Sequence, residues 1–380
     1  MDSGRGRSGG ELRELVRLFL KLGFLAFGGP AAHIAMMHEE VVTRRKWMDD
    51  QEFLDLVGAT NLIPGPNSTE LAIHLGRVRA GWRGLLVAGA CFIVPAALIV
   101  LAFAVLYARY GSTPEADRLL YGIIPVIIAV IAQALWGLLK TAVKGTLTAT
   151  VGVLALILYL LGIGEIPLLA TGAATVLLAR VGFRGWRGTL SVVPLSLPLG
   201  LLQVSLGGLS GMFFSFLKIG AVLFGSGYVL LAFLRTEFIA SGRLTEQQLL
   251  DAVAVGQFTP GPVFTTATFI GHLLEGVPGA VLATVGIFLP AFIFVASTGP
   301  IIPRLRRSTV MSNLLDGLNV TSLALMAGVT WQLGRNAIVD PFSALLALAA
   351  LFLLIRFKVS TAWLVIGGGA LGFLYRSVTG

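Results

Sequence analysis

The chain has 380 residues, 56% hydrophobic and only 12% charged, with a formal net charge of +9. Soluble domains carry about 25% charged residues, so the composition excludes a soluble globular protein and requires an integral membrane protein. The basic residues are scattered singly between apolar runs, which excludes a nucleic-acid-binding stripe and fits arginines in cytoplasmic loops.

Residues 1–10, MDSGRGRSGG, read as a disordered leader without the features of a cleavable signal peptide. Leu15–Met37 is apolar, carries Lys21, and is interrupted at Gly28-Gly29-Pro30, just before His33. A charged loop follows, from Glu39 to Asp49. Phe53–Leu75 then contains Pro64-Gly65-Pro66. Proline removes a backbone donor and clashes with the preceding turn, so no ordinary helix continues through this point. At membrane depth such a break is tolerated only inside protein or beside a wet cavity. Asn67, Ser68, Thr69 and Glu70 follow at once, and the pattern is that of a discontinuous or re-entrant helix at a solute site.

Gly84–Tyr107, Leu119–Leu139, Leu147–Ile163 and Ile166–Ala179 are further apolar runs, the last marginal for a bilayer crossing. Arg180–Arg187 is basic. Leu190–Gly211 is rich in Pro, Gly and Ser and separates two halves. The chain thus divides into a leader (1–10), a first repeat (11–188), a linker (189–211) and a second repeat (212–380). Cys91 is the single cysteine, so neither an internal disulfide nor a cysteine metal cluster is available. The four histidines have no metal-binding spacing, and no cofactor is implied.

The second half repeats the first. Phe19-Leu20-Lys21-Leu22-Gly23 returns as Phe216-Leu217-Lys218-Ile219-Gly220, and Phe27-Gly28 as Phe224-Gly225. Glu40 matches Glu237, Pro64-Gly65-Pro66 matches Pro260-Gly261-Pro262, and Gly81, Gly84 and Pro95 match Gly276, Gly279 and Pro290. The series keeps one order and identifies an internal duplication.

Loop charge orients the halves, because short cytoplasmic loops collect Lys and Arg. Arg44, Arg45 and Lys46, then Arg77, Arg79 and Arg83, flank the first break. Their counterparts in the second half lose that excess, whereas Arg304, Arg306 and Arg307 gain it where the first half is neutral. The expectation is an all-α polytopic protein of two inverted repeats. Each has about five crossings and one re-entrant Pro-Gly-Pro segment, which places the N-terminus outside. If the first run is a hairpin and Leu190–Gly211 crosses, the N-terminus is inside.

The motifs Phe27-Gly28-Gly29-Pro30-Ala31-Ala32-His33 and Pro64-Gly65-Pro66-Asn67-Ser68-Thr69-Glu70-Leu71-Ala72-Ile73-His74-Leu75-Gly76, with the second Pro260-Gly261-Pro262, resemble the chromate ion transporter family over nearly the whole chain. The resemblance implies a multi-pass protein of the bacterial inner membrane that exports chromate, coupled to the proton-motive force, with sulfate as the same-shaped competitor. It leaves room for a homodimer. The alternative is a passive anion channel of the same architecture. No phosphate-binding loop and no nucleophile–base or metal constellation supports nucleotide hydrolysis or another enzyme activity.

An oxyanion needs donors and positive potential, and helix N-termini supply both. Asn67, Ser68 and Thr69 are candidates after the first break, and Thr265 and Thr266 after the second; the competing reading is a packed kink. Lys21 and Lys218 recur at one repeat position in apolar runs, as anion-binding cations or as residues snorkelling to headgroups. Glu70 is a candidate proton carrier or an ion-pair partner. His33 is a candidate for anion or proton, or a hydrogen-bonded structural residue. Gly28, Gly29, Gly225 and Gly227 mark a hinge beside the site or close helix packing. Glu40 and Glu237 fall where solvated loop charges are expected.

Overall fold

The computed structural model describes residues 3–27, 29–181, 208–224, 229–298 and 308–379. Gly28, Gly225 and Gly227, nearly all of the Leu190–Gly211 connection, and the loop with Arg304, Arg306 and Arg307 lie outside the described residues. Among the described residues the chain is helical and contains no strand.

The first repeat supplies α1 (Ser3–Leu25), α2 (Gly29–His38) with a π-helical turn (Glu39–Arg44), and α3 (Asp50–Thr60). It continues through α4 (Asn67–Tyr110), α5 (Pro114–Ala142), α6 (Thr146–Leu160) and α7 (Glu165–Val181). The second supplies α8 (Gly208–Val222), α9 (Leu230–Leu234) with a second π turn (Arg235–Ile239), and α10 (Glu246–Phe258). A 3-10 turn (Val263–Thr265) leads into α11 (Thr266–Thr298), followed by α12 (Thr309–Ala337), α13 (Pro341–Phe357) and α14 (Thr361–Thr379).

Local chemistry sets the boundaries. Asp49 and Glu52 form a reciprocal cap at the start of α3. Thr113 caps α5 ahead of Pro114, and Asp340 caps α13 ahead of Pro341. In each case a side-chain oxygen accepts from a first-turn N–H that has no intrahelical partner. Among the described residues, four helices are long and apolar enough to cross a bilayer: α4, α5, α12 and the segment Val263–Ser297, two from each repeat at equivalent places. The chain is a multi-pass α-helical membrane protein.

Neither α4 nor α11 is straight. In α4 the helix is interrupted at Ala80 and Gly81, with Gly81 at φ 62°. In α11 the same interruption falls at Glu275 and Gly276, with Gly276 at φ 63°. Positive φ is available to glycine at little cost. The arms fold back on each other: Gly76 packs against Gly84 and Ala88, and Gly271 against Gly279 and Ala283. Gly76 and Ala88 would stand about 18 Å apart on a straight helix. Thr268 and Thr284 hydrogen-bond across the second hairpin at 2.7 Å. Each break is therefore followed by a short arm that returns to a glycine turn and then by a long apolar arm.

Contacts within the structure show how the repeats relate. A Cβ on Gly65 would meet Cβ of Ala291 at 3.8 Å, and one on Gly261 would meet Cβ of Ala96. Gly65 matches Gly261, and Ala96 matches Ala291, so the pairing is reciprocal, as a two-fold axis requires. The long arms run antiparallel. The first starts just after Arg77, and Arg77 donates to the carbonyls of Val295 and Ala296, at the far end of the second. A two-fold relation with antiparallel arms is an inverted repeat.

The chain gathers into two compact units, each drawing on both repeats. Unit 1 comprises Met1–Ala108, Leu206–Ala221 and Val255–Pro303, and holds both breaks. Leu15, Leu18, Phe19 and Leu22 on one stripe of α1 pack there with Phe53, Leu71, Leu75 and Phe92. Unit 2 comprises Arg109–Ser205, Val222–Ala254 and Arg304–Gly380. Gly122 of α5 meets Gly368 and Gly372 of α14, and Gly317 of α12 meets Gly172 and Ala173 of α7. That is again a reciprocal pairing through small residues. Buried Asp316 in this unit binds Lys144 at 2.7 Å and Arg180 at 2.6 Å.

Candidate functional site

The site begins where α1 stops. The carbonyl of Ala26 accepts from the backbone N–H of Gly261 at 2.9 Å and from His33 Nε2 at 3.0 Å. A carbonyl only accepts, so Nε2 carries the proton. In the neutral ring Nδ1 is then an acceptor, and it takes the hydroxyl of Ser68 at 3.2 Å. Ala26, His33, Ser68 and Gly261 thus tie the end of α1, α2 and both breaks into one buried polar knot. Phe92 closes it with its ring edge-on to His33, 5.5 Å between centroids.

At the first break, Pro64, Gly65 and Pro66 are buried. The Pro66 carbonyl accepts from the N–H groups of Thr69 and Glu70 at 2.8 and 3.0 Å, which starts the returning arm. Ser68, Thr69 and Glu70 are buried, the last two completely. Thr69 Oγ1 and both carboxyl oxygens of Glu70 have no hydrogen-bond partner among the described residues. Asn67 is half-buried and donates to Asn61 Oδ1 at 2.7 Å.

The second break differs in chemistry. Thr265 donates its hydroxyl to the Pro262 carbonyl and Thr266 to that of Val263, both at 2.8 Å. Val263 and Phe264 cover the start of the arm and are buried. Where the first break presents Ser68, Thr69 and Glu70, the second presents apolar side chains and hydroxyls turned back onto their own turn.

Other sequence-predicted residues lie apart from the knot. Gly29, at φ 76°, and Pro30 open α2 and are half-buried. Lys21 on α1 pairs with Glu40 at 2.7 Å. Lys218 is half-buried on α8. Glu40 corrects the expectation of a solvated loop charge: its side chain is 9% exposed inside the π turn, and Arg44 and Arg45 also reach it, at 3.4 and 3.2 Å. The hydrogen bond from Lys21 holds this carboxyl below its ordinary value, burial opposes that, and the fields of Lys21, Arg45 and Arg44 add to it. A second π turn at the equivalent place carries Glu237. Such turns cluster at functional sites. Glu40 recurs at Glu237 and Lys21 at Lys218, but nothing in the sequence signalled that Lys21 and Glu40, 19 residues apart, pair with each other.

The arrangement joins a helix start bearing polar side chains to an inverted counterpart, inside a membrane protein. Helix starts of this kind bind anions through unpaired N–H groups and the positive end of the helix dipole. The profile of the chromate transporter family matches residues 13–179 and 210–373, one segment per repeat. A chromate transport protein of Cupriavidus metallidurans is 32% identical over 376 residues, covering 95% of this chain and 92% of the relative. A probable chromate transport protein of Synechococcus elongatus is 32% identical over 351 residues, 90% and 89% of the two chains. A chromate transport protein of Pseudomonas aeruginosa is 29% identical over 343 residues, 85% and 81%. No solved structure matches the chain. With the family profile covering both repeats, the chain belongs to the chromate transporter family.

Proposed function

We propose that this protein is a secondary transporter of the bacterial inner membrane that exports chromate, coupled to the proton-motive force, and that sulfate competes for its site. The observation that carries the reading is the first break. There a buried helix start bears Asn67, Ser68, Thr69 and Glu70, and His33 and Ala26 join it to the opposing break. The N–H groups of Asn67 and Ser68 and the side chains of Asn67 and Thr69 are the anion ligands, and the Ser68 hydroxyl, donated to His33, fixes the start of the arm. Gly65 and Gly261 let the backbone approach closely. Lys21 and Lys218 supply positive potential along the two first helices, and Pro64, Pro66, Pro260 and Pro262 hold the breaks open to solute. Gly29 and Pro30, beside His33, form the hinge on which α2 moves.

The reciprocal contacts Gly65–Ala291 and Gly261–Ala96 support alternating access, because the two members of an inverted pair can exchange conformations. Purified protein in proteoliposomes tests the function. Chromate should move against its own gradient when a pH gradient or membrane potential is imposed, and sulfate should compete. Flux that only ever follows the anion's own electrochemical gradient would make the protein a channel.

A further inference from the structure

We propose that Glu70 is a protonation site whose proton is bound together with the anion at the first break. The proposal rests on reading that break as the anion site. Glu70 stands in the first turn of the returning arm, 0% exposed, and neither carboxyl oxygen has a hydrogen-bond partner among the described residues. The carboxyl lies over Gly65, at φ +137°, so closely that a Cβ there would overlap Oε1. A glycine at this place makes room for the carboxyl group. An ionised carboxylate buried without donors is strongly disfavoured, whereas the neutral acid is tolerated.

Among the described residues, the charged and titratable surroundings offer no counter-ion. On its own helix, His74 follows one turn later and Arg77 two turns later, and the Arg77 guanidinium is taken by the carbonyls of Val295 and Ala296. From α2, His33 faces the break with both ring nitrogens engaged. From the opposing long arm, Ala291 and Val295 pack with Ile63, Ile73 and Leu85 and bring no charge. At the equivalent place in the second repeat stands Thr266, whose hydroxyl is satisfied by Val263. One of the two breaks carries a titratable group, and one does not.

The consequence is a coupling. A dianion at the start of the returning arm and an ionised Glu70 would lie within about one helical turn of each other. Two like charges at that separation in a low-dielectric site repel strongly. Below the pH at which Glu70 ionises in the empty site the acid is already in place when the anion binds; above it, the carboxylate takes one proton from solution on anion binding and gives it back when the anion leaves. One proton is then bound at the site together with the divalent anion.

Two measurements on purified full-length protein test this. Sulfate is the probe, since it stays a dianion near neutral pH and takes up no proton itself. Infrared difference spectra without anion should show a carboxylic-acid carbonyl band that is lost as the pH is raised and is missing in Glu70→Gln. Above the pH at which the band disappears, sulfate affinity of the wild type should fall about tenfold per pH unit, the slope for one linked proton. In Glu70→Gln it should be flat. An acid band that is absent, that does not titrate, or that survives in Glu70→Gln overturns the proposal. So does a pH slope that survives in Glu70→Gln, which would assign the proton to His33 or His74. If Glu70→Gln does not fold, Glu70→Asp should shift the band, and an unshifted band overturns the assignment. Sulfate that fails to bind wild-type protein sinks the anion-site reading, while the infrared band still decides the protonation of Glu70.

Discussion

The backbone N–H of Gly261, at the tip of the second break, donates to the carbonyl of Ala26, where α1 of the first repeat ends, at 2.9 Å. His33 shares that carbonyl and passes the connection on to Ser68 at the first break. His33→Ala removes two buried hydrogen bonds and leaves Ser68 unpaired, at about 1–3 kcal/mol for each group left unsatisfied. The variant should unfold at a lower temperature in detergent and transport more slowly per folded molecule. Wild-type transport by a folded His33→Ala protein would limit the knot to a structural role.

The hairpins depend on glycines for two different reasons. Gly81 needs a backbone conformation that other residues adopt at about 1–3 kcal/mol, but open space surrounds it. Gly76 is ordinary helix, and a Cβ there would overlap the Gly84 carbonyl on the facing arm. Overpacking against a rigid partner costs about 1–3 kcal/mol or more. Both Gly76→Ala and Gly81→Ala should lower the thermal midpoint. Gly76→Ala should also impair transport more, because it forces the arms apart next to the site. A Gly76→Ala protein as stable and as active as wild type would contradict the close packing of the arms.

The Lys21–Glu40 pair makes a pH-dependent contribution. Because its folded-state value is depressed, Glu40 stabilises fully above the usual carboxylate range, and that contribution is lost as the pH falls through the folded-state value. Wild-type thermal stability should fall on acidification across that window, and the fall should be smaller in Glu40→Gln. Identical pH profiles would show that the pair adds nothing. Lys21→Ala should lower transport more than expression; transport at the wild-type rate would leave Lys21 as a lipid anchor.

Inversion places the glycine turns at Gly81 and Gly276 on opposite faces of the membrane. After replacement of Cys91, single cysteines at Arg79 and Glu275 should react with an impermeant reagent from opposite sides of oriented vesicles. By loop charge, Arg79 should face the cytoplasm. Labelling of both from one side would contradict the inverted arrangement.

Much of this architecture is legible in the sequence because its signals are local. Pro64-Gly65-Pro66 and Pro260-Gly261-Pro262 cannot continue a helix, and the recurrence of Gly81 and Gly84 at Gly276 and Gly279 marks the turns of the two hairpins. What escapes the sequence depends on atoms that carry no side-chain signal or on rotamers. The Ala26 carbonyl is a backbone acceptor, and nothing in an alanine announces that two segments converge on it. Thr265 and Thr266 look like further anion donors, yet their hydroxyls bond to Pro262 and Val263. Glu40 sits among charges that suggest a loop, and its burial follows from a π turn and a lysine on another helix.

The central claim is that the anion is held at the first break rather than at its inverted counterpart. Hydrogen bonds to charged groups contribute about 1.5–3 kcal/mol, and about 1.4 kcal/mol is tenfold in affinity. The most direct measurement is equilibrium binding of chromate and sulfate to purified, folded Asn67→Ala and Val263→Ala proteins. Asn67→Ala should lose roughly tenfold or more in affinity for both anions, and Val263→Ala should bind as the wild type does. Equal losses at the two positions, or no loss at either, would contradict the account and place the anion elsewhere.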